Sequence, residues 1–297
     1  MDVTVVIRAA GERTEKLCQY IIEQQVPSDQ VYVIHERPFW KAVQRTFEIG
    51  IQQKRKWTIA VDADVLLRMD AIARMINIAS ELRSPFFCYQ GYVMDYVFGR
   101  PRDGGPHLYN TTYIPKALEV LKSDSTIHRP ESDTYKELAK LGIYTFVDNI
   151  VFGTHDYYQH PRDYYRKAYF HAVKNSRLDK VPDFFNHWVT KMSEGDVYNL
   201  MIQGWLHGRK ESEVQVDIDF FREKVQFLGS KEESELGESM FAFYCQCVQA
   251  ECEKGDAFKV RSKVFPRRKT TPLDTARNWL GKKVITVGRL IKEGWST

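Results

Sequence analysis

A doubly wound α/β fold, with a mostly parallel sheet covered by helices on both faces, is predicted for the first half of the chain by three observations. Short β-branched runs alternate with helical patterns from residue 3 to residue 82. Those runs are almost wholly apolar, as strands buried on both faces are. The stretches between them carry Gly, Pro, Asp and Glu, which punctuate rather than continue a core.

The elements follow in order. Val3–Ile7 reads as a strand, Arg8-Ala9-Ala10-Gly11-Glu12 as a loop, and Thr14–Gln25 as a helix with Leu17, Tyr20 and Ile21 at helical spacing. Val31–Ile34 is a second strand, followed by the polar loop His35-Glu36-Arg37-Pro38. Phe39–Gln53 is helical, with positions 39, 43, 47 and 51 on one face. Trp57–Val61 is a third strand running into Asp62-Ala63-Asp64, and Met69–Leu82 is a helix. Phe86–Phe98 is aromatic and β-branched, and Arg102-Asp103-Gly104-Gly105-Pro106 reads as a flexible loop. Tyr113–Leu121 and Asp133–Leu141 are helical, with Gly142 placed to end the second. Ile143–Val151 is a strand, followed by Gly153-Thr154-His155-Asp156, and beyond Pro161 the chain turns helical and aromatic. The expected organisation is a first unit over 1–160, a helical, aromatic-rich region over 161–258 and a basic tail over 259–297.

Composition bounds the function. The 297 residues are 43% hydrophobic and 28% charged, as in an ordinary globular protein. Disordered, collagenous and coiled-coil classes are thereby excluded. No run approaches the ~18 apolar residues of a membrane span, and the acid-bearing start Met1-Asp2-Val3 does not read as a signal peptide. Five cysteines at positions 18, 88, 245, 247 and 252 fit reduced thiols and a cytoplasmic location. The net charge of +4 hides an asymmetry: from Lys259 onward 11 Lys/Arg face 2 Asp/Glu, a net of +9, which leaves −5 for the first 258 residues.

In an open α/β sheet the ligand sits outside the carboxyl ends of the strands. Three loops meet that description, over residues 8–12, 35–38 and 62–64, and none holds a dinucleotide glycine fingerprint or a P-loop. The third offers two carboxylates, Asp62 and Asp64. Burying both at a strand end is costly without a cation, and Mg²⁺ or Mn²⁺ would satisfy them while leaving room for phosphate oxygens. A second such triplet, Asp217-Ile218-Asp219, lies away from the alternating region and reads as a solvated face.

On these residues Val3–Asp64 resembles the nucleotide-binding half of GT-A-type glycosyltransferases, and glycosyltransferase family 2 in particular. Glu131-Ser132-Asp133, leading through a helix to Gly142-Ile143-Tyr144, is similar to that family's acidic segment and Gly-Tyr turn, and the resemblance extends to about residue 158. It implies a GT-A-like fold and a transfer in which a sugar moves, with inversion, from a nucleoside-diphosphate sugar to a saccharide or lipid-linked glycan acceptor. A UDP-sugar is the favoured donor and a GDP-sugar the other candidate. Carried over residue by residue, it implies Glu131 as the base that deprotonates the acceptor, with Asp133 in reserve. It implies a divalent ion on Asp62, Asp64 and His155, and donor contacts from Arg8, Ala10, Glu12, Glu36, Asp62, Ala63 and Gly105. For His155 and Glu131 plain structural roles stay open. This chain departs from the family pattern in its first loop, in His35-Glu36 at the second strand's end, and in Glu131-Ser132.

In the tail, Leu273, Ala276, Leu280, Val284, Val287 and Ile291 recur at three and four, with Arg277, Lys282, Arg289 and Lys292 on the other side. Over 273–295 this fits either peripheral contact with an anionic membrane surface at its inner face or a terminal helix docked on the body. A nucleic-acid partner is not expected. A sugar-1-phosphate nucleotidyltransferase and an inactive scaffold of the same fold are the rival functions.

Overall fold

The computed structural model describes residues 1–82, 85–123, 129–174, 182–211, 217–231, 233–258 and 260–265. In chain order the elements are β1 (Val3–Arg8), α1 (Glu15–Glu23), β2 (Val31–Ile34), α2 (Phe39–Gln53), β3 (Trp57–Asp62), β4 (Val65–Leu67), α3 (Ala71–Glu81), β5 (Phe86–Asp95), β6 (Arg100–Asn110), α4 (Ile114–Val120), α5 (Pro130–Lys140), β7 (Tyr144–His155), α6 (Pro161–Lys174), α7 (Asp183–Lys191), α8 (Asp196–Gly208), α9 (Ile218–Phe227), α10 (Phe241–Asp256) and β8 (Lys263–Phe265). The strands form one mixed sheet in the order β2-β1-β3-β6-β5-β7-β4, with β8 also pairing β7. Strands β1, β2, β3, β5 and β7 run one way, and β4, β6 and β8 run against them. The mostly parallel mixed sheet between helices, with a helical region after it, is the class that the sequence predicts.

Strand alternation sends neighbouring side chains to two different cores. Val5, Ile7, Ile59 and Val61 pack with Leu17, Cys18, Ile21 and Ile22 of α1. Ala60 instead joins Phe47 of α2, Tyr109 of β6 and Leu138 of α5, and Val6 packs with Ala42 and Ile49. Each helix thus buries one stripe against one face of the sheet. After β7 the chain builds aromatic clusters, one around Trp188 and Trp205 and one around Tyr169 and Phe221. It then returns to the first core, where Phe241, Val248 and Cys252 of α10 are buried.

Two stretches differ from the sequence reading. Arg102–Pro106, expected as a flexible loop, lies within β6, where Arg102 pairs with Val93 and Asp103 with Tyr92. Glycine and proline signal a break by composition, but β5 supplies a long ladder partner, and a register shift between Gln90 and Tyr92 absorbs the irregularity. The short β4 was also not foreseen; it lies antiparallel to the end of β7, with Val65 opposite His155 and Leu67 opposite Gly153. A Cβ on Gly153 would stand 2.5 Å from the Leu66 carbonyl oxygen, so only glycine admits this approach. Gly142, at φ +80°, follows α5 as foreseen. Asp217 caps α9, its side chain accepting from the Asp219 N–H at 3.0 Å. All five cysteines are free. Among the described residues no helix is long and apolar enough to cross a membrane. The basic stripe read over 273–295 lies outside the described residues.

Candidate functional site

The carboxyl ends of β1, β3, β5 and β7 bring a set of charged side chains to the turn between β3 and β4. Register does most of the placing. Arg8 is the partner of Asp62 across β1 and β3, and Asp95 is the partner of His155 across β5 and β7. The turn itself is fixed by its backbone: the Ala63 N–H donates to the Arg8 carbonyl at 2.9 Å, and the Ala63 carbonyl accepts from the Thr14 hydroxyl at 2.7 Å. Ala63 therefore holds the turn with both of its backbone groups.

On the β1 side, Arg8 is the hub. Its Nε donates to Asp62 Oδ1 at 2.7 Å and its Nη1 to Glu131 Oε1 at 2.8 Å. The Tyr109 hydroxyl donates to the same Glu131 oxygen, and His107 Nε2 lies 3.7 Å from Glu131 Oε2. Burial alone would raise the Glu131 carboxyl, but Arg8, His107 and Tyr109 outweigh it and hold it at about 2. For Asp62 burial prevails over Arg8, and its carboxyl stands above the ordinary range. Arg8 Nη2 is buried with no hydrogen-bond partner among the described residues, and the guanidinium lies 4.9 Å from the ring centre of the half-exposed Phe39.

On the β7 side, His155 Nδ1 lies 2.8 Å from Asp95 Oδ2 and 3.0 Å from Asp156 Oδ2. His155 Nε2 is 3.6 Å from Asp64 Oδ1. Lys167, from α6, donates to Asp64 Oδ2 at 2.7 Å and also to Asp156 Oδ1. Arg102 donates to Asp95. Burial works against the imidazolium, but Asp156 and Asp64 overcome it and raise His155 to about 9. Burial would also raise Asp64, yet Lys167 and His155 hold it below its ordinary value. Glu12, in the first loop, is pushed up to about 7 by burial and by the nearby Asp64.

Asp64, His155 and Asp156 offer ligand atoms that all lie within 4.8 Å of one another. Asp64 Oδ1 is buried and has no hydrogen-bond partner among the described residues. Two ligands each ~2.1 Å from one ion stand ~3–3.6 Å apart at ordinary coordination angles. The Asp64–His155 pair therefore fits a divalent ion, and the orphaned oxygen is the atom such an ion would satisfy.

The structure thus brings together Asp64 and His155, and separately Arg8, Asp62 and Glu131, with Gly105 beside His107. Asp62 belongs to the arginine hub rather than to the Asp64–His155–Asp156 group. Ala10 and Glu12 close the first loop on each other, the Ala10 N–H donating to Glu12 Oε2 at 2.5 Å. Glu36 lies in the exposed loop after β2, and Asp133 faces outward with Lys136 at 2.7 Å. Asp95, Arg102, Asp156 and Lys167 were not foreseen. Asp156 directly follows a residue that was singled out, and a local reading could have included it. The other three reach the site through strand register and the packing of α6, which no local motif records.

No protein-family model matches the sequence, and no curated protein matches it. Among solved structures, the chain is similar to one described as the crystal structure of a glycosyltransferase involved in the glycosylation of the major capsid of PBCV-1, at 11% identity and a TM-score of 0.35, over 50% of this chain and 82% of that one.

Proposed function

We propose that this chain is a GT-A-like glycosyltransferase that uses a divalent ion, Mn²⁺ or Mg²⁺, to move a sugar from a nucleoside diphosphate to a saccharide or lipid-linked glycan acceptor, with inversion. A UDP-sugar is the first donor to try and a GDP-sugar the second. The observation that carries the reading is the meeting of Asp64 and His155 at the carboxyl ends of the strands, beside an arginine that already holds Asp62 and Glu131. Asp64 and His155 would hold the ion. When bound, it supplies positive charge against the charge that develops on the leaving diphosphate.

The remaining roles fall to the chain's own groups. Arg8 fixes Asp62 toward the donor's ribose and keeps one buried N–H group for an anionic oxygen. Phe39, half exposed beside it, offers a ring face to the nucleotide base. Glu131 is the proton acceptor of this reading, and Arg8 keeps it ionised at neutral pH, as a base requires. A carboxyl held at about 2 is a weak base, so its contribution belongs at the lower end of the usual ~10²–10⁴-fold range.

Incubation with a panel of UDP- and GDP-sugars and Mn²⁺ tests this, with release of the nucleoside diphosphate as the readout. Hydrolysis of one donor, lost in Asp64→Ala, is the expected result. Pyrophosphate release from a nucleoside triphosphate and a sugar-1-phosphate would replace it with the nucleotidyltransferase. Absence of both, with no melting shift from any nucleotide, would sink the enzymatic reading.

A further inference from the structure

Lys167 has no part in the reading above, yet it makes the closest charged contact to the proposed ligand carboxylates. Its ammonium bonds Asp64 and Asp156 together, two of the three residues that could hold an ion. The side chain is four-fifths buried, at 20% exposure. Its backbone is set by the close approach of α6 to α8: a Cβ on Gly204 would stand 2.3 Å from the Tyr165 carbonyl oxygen, and one on Gly208 would stand 2.5 Å from that of Tyr169. Asp64, Asp95 and Asp156 face Lys167, Arg102 and His155. Without a divalent ion, Lys167 and Arg102 already partner the three carboxylates, which lowers the penalty that bare buried carboxylates would carry.

We infer that Lys167 is a displaceable internal counter-cation: it occupies the carboxylates of the metal-free protein, a divalent ion must take Asp64 from it, and the freed ammonium then faces whatever anion the ion brings. This rests on the cation-site part of the proposed function and on none of its donor or acceptor assignments. Lys167 is accordingly a positioning residue that sets metal affinity.

Two measurements on the full chain test it. In the first, free Mn²⁺ is followed by electron paramagnetic resonance during titration of wild type, Lys167→Met and Lys167→Met/Asp64→Asn. Lys167→Met should bind Mn²⁺ at least ~10-fold more tightly than wild type, because a net negative charge is left for the ion, and the double variant should lose that gain. Equal or weaker binding in Lys167→Met overturns the inference. The second needs no variant. Acetic anhydride labelling of wild type, read by mass spectrometry, should modify Lys167 slowly without Mn²⁺, when its amine is engaged by Asp64 and Asp156, and at least ~5-fold faster with it, when that engagement is broken. Labelling unchanged by saturating Mn²⁺ overturns it too. Donor hydrolysis that persists in chelator would separate the cases, leaving the transferase reading in place while the cation site and this inference fall.

Discussion

The Asp62-Ala63-Asp64 turn divides two buried charge networks that are built differently. On the β1 side one arginine serves two acids, Asp62 and Glu131, with Tyr109 completing the set. On the β7 side three acids interlock with Lys167, His155 and Arg102, so every group but Arg102 has more than one partner of the opposite kind. Two carboxylates two residues apart thus answer to different partners, because the turn between β3 and β4 points them to opposite sides. The difference teaches where each network is vulnerable: the first fails at a single residue, and the second redistributes.

Arg8→Met gives the largest effect expected from this difference. It leaves the buried Glu131, and Asp62 with a third of its side chain exposed, without their arginine, a loss of ~3–5 kcal/mol for a broken buried pair. Lys167→Met, beside it, should cost clearly less, because His155 and Arg102 remain. Urea unfolding of the two variants at neutral pH checks the ranking, and equal losses would end the contrast. On function the order reverses. Asp64→Asn should cut donor turnover by ~10²–10³-fold, the usual worth of one preorganised group at developing charge, and abolish the melting shift produced by Mn²⁺ with nucleotide.

How much of this was legible in the sequence follows the same division. The alternation of β1, α1, β2, α2 and β3 was readable because each strand is apolar and each helix has one buried stripe, both local properties. The acids at the end of β3 were readable for the same reason: a polar pair cannot continue a buried strand. His155 was reached through a resemblance in order and spacing, and the structure sets it beside Asp64. Asp95 and Arg102 were not readable. They meet His155 through the pairing of β5 with both β6 and β7, and the glycines and proline of β6 imitate a loop. Lys167 was hidden more deeply, since a lysine in an aromatic helix reads as a solvated face until α8 fixes the rotation of α6.

Glu131→Gln sharpens the β1 side in two ways. If Glu131 is the proton acceptor proposed above, its loss should lower transfer by ~10²-fold with donor affinity little changed. Its carboxyl is held at about 2, against an ordinary value of 4.5, so its stabilisation is present above pH 4.5 and is lost as pH falls through 2. A shift of that size is worth on the order of 3 kcal/mol. Unfolding free energies at pH 5 and pH 2.5 should therefore differ less in Glu131→Gln than in wild type. An unchanged difference would remove Glu131 from the arginine hub.

Gly153→Ala tests the geometry that joins the two sides. The new methyl would meet the Leu66 carbonyl at 2.5 Å and push β4 away from β7. Overpacking of this kind costs ~1–3 kcal/mol, and it should separate Asp64 from His155. Mn²⁺ affinity should fall together with stability, while the Arg8–Asp62 pair, on the far side of the turn, is left intact. Preserved Mn²⁺ binding would mean that the ion does not depend on that approach.

The smallest effect belongs to Asp133→Asn, and its smallness is informative. Asp133 stands two residues from Glu131 on α5, and it faces outward, with 35% of its side chain exposed and its carboxylate on Lys136. A pair of this type, three residues apart on a helix surface, is worth ~0.2–1 kcal/mol and is screened by salt. Neither network of the turn includes it. Asp133→Asn should therefore keep transfer within about twofold of wild type and move the unfolding midpoint only slightly, with that small shift vanishing at high salt. Donor turnover and urea unfolding at low and high ionic strength measure both. A loss of turnover as large as that of Glu131→Gln would place the acceptor's base on the outer face of α5, and the arginine hub would then serve to hold the donor alone.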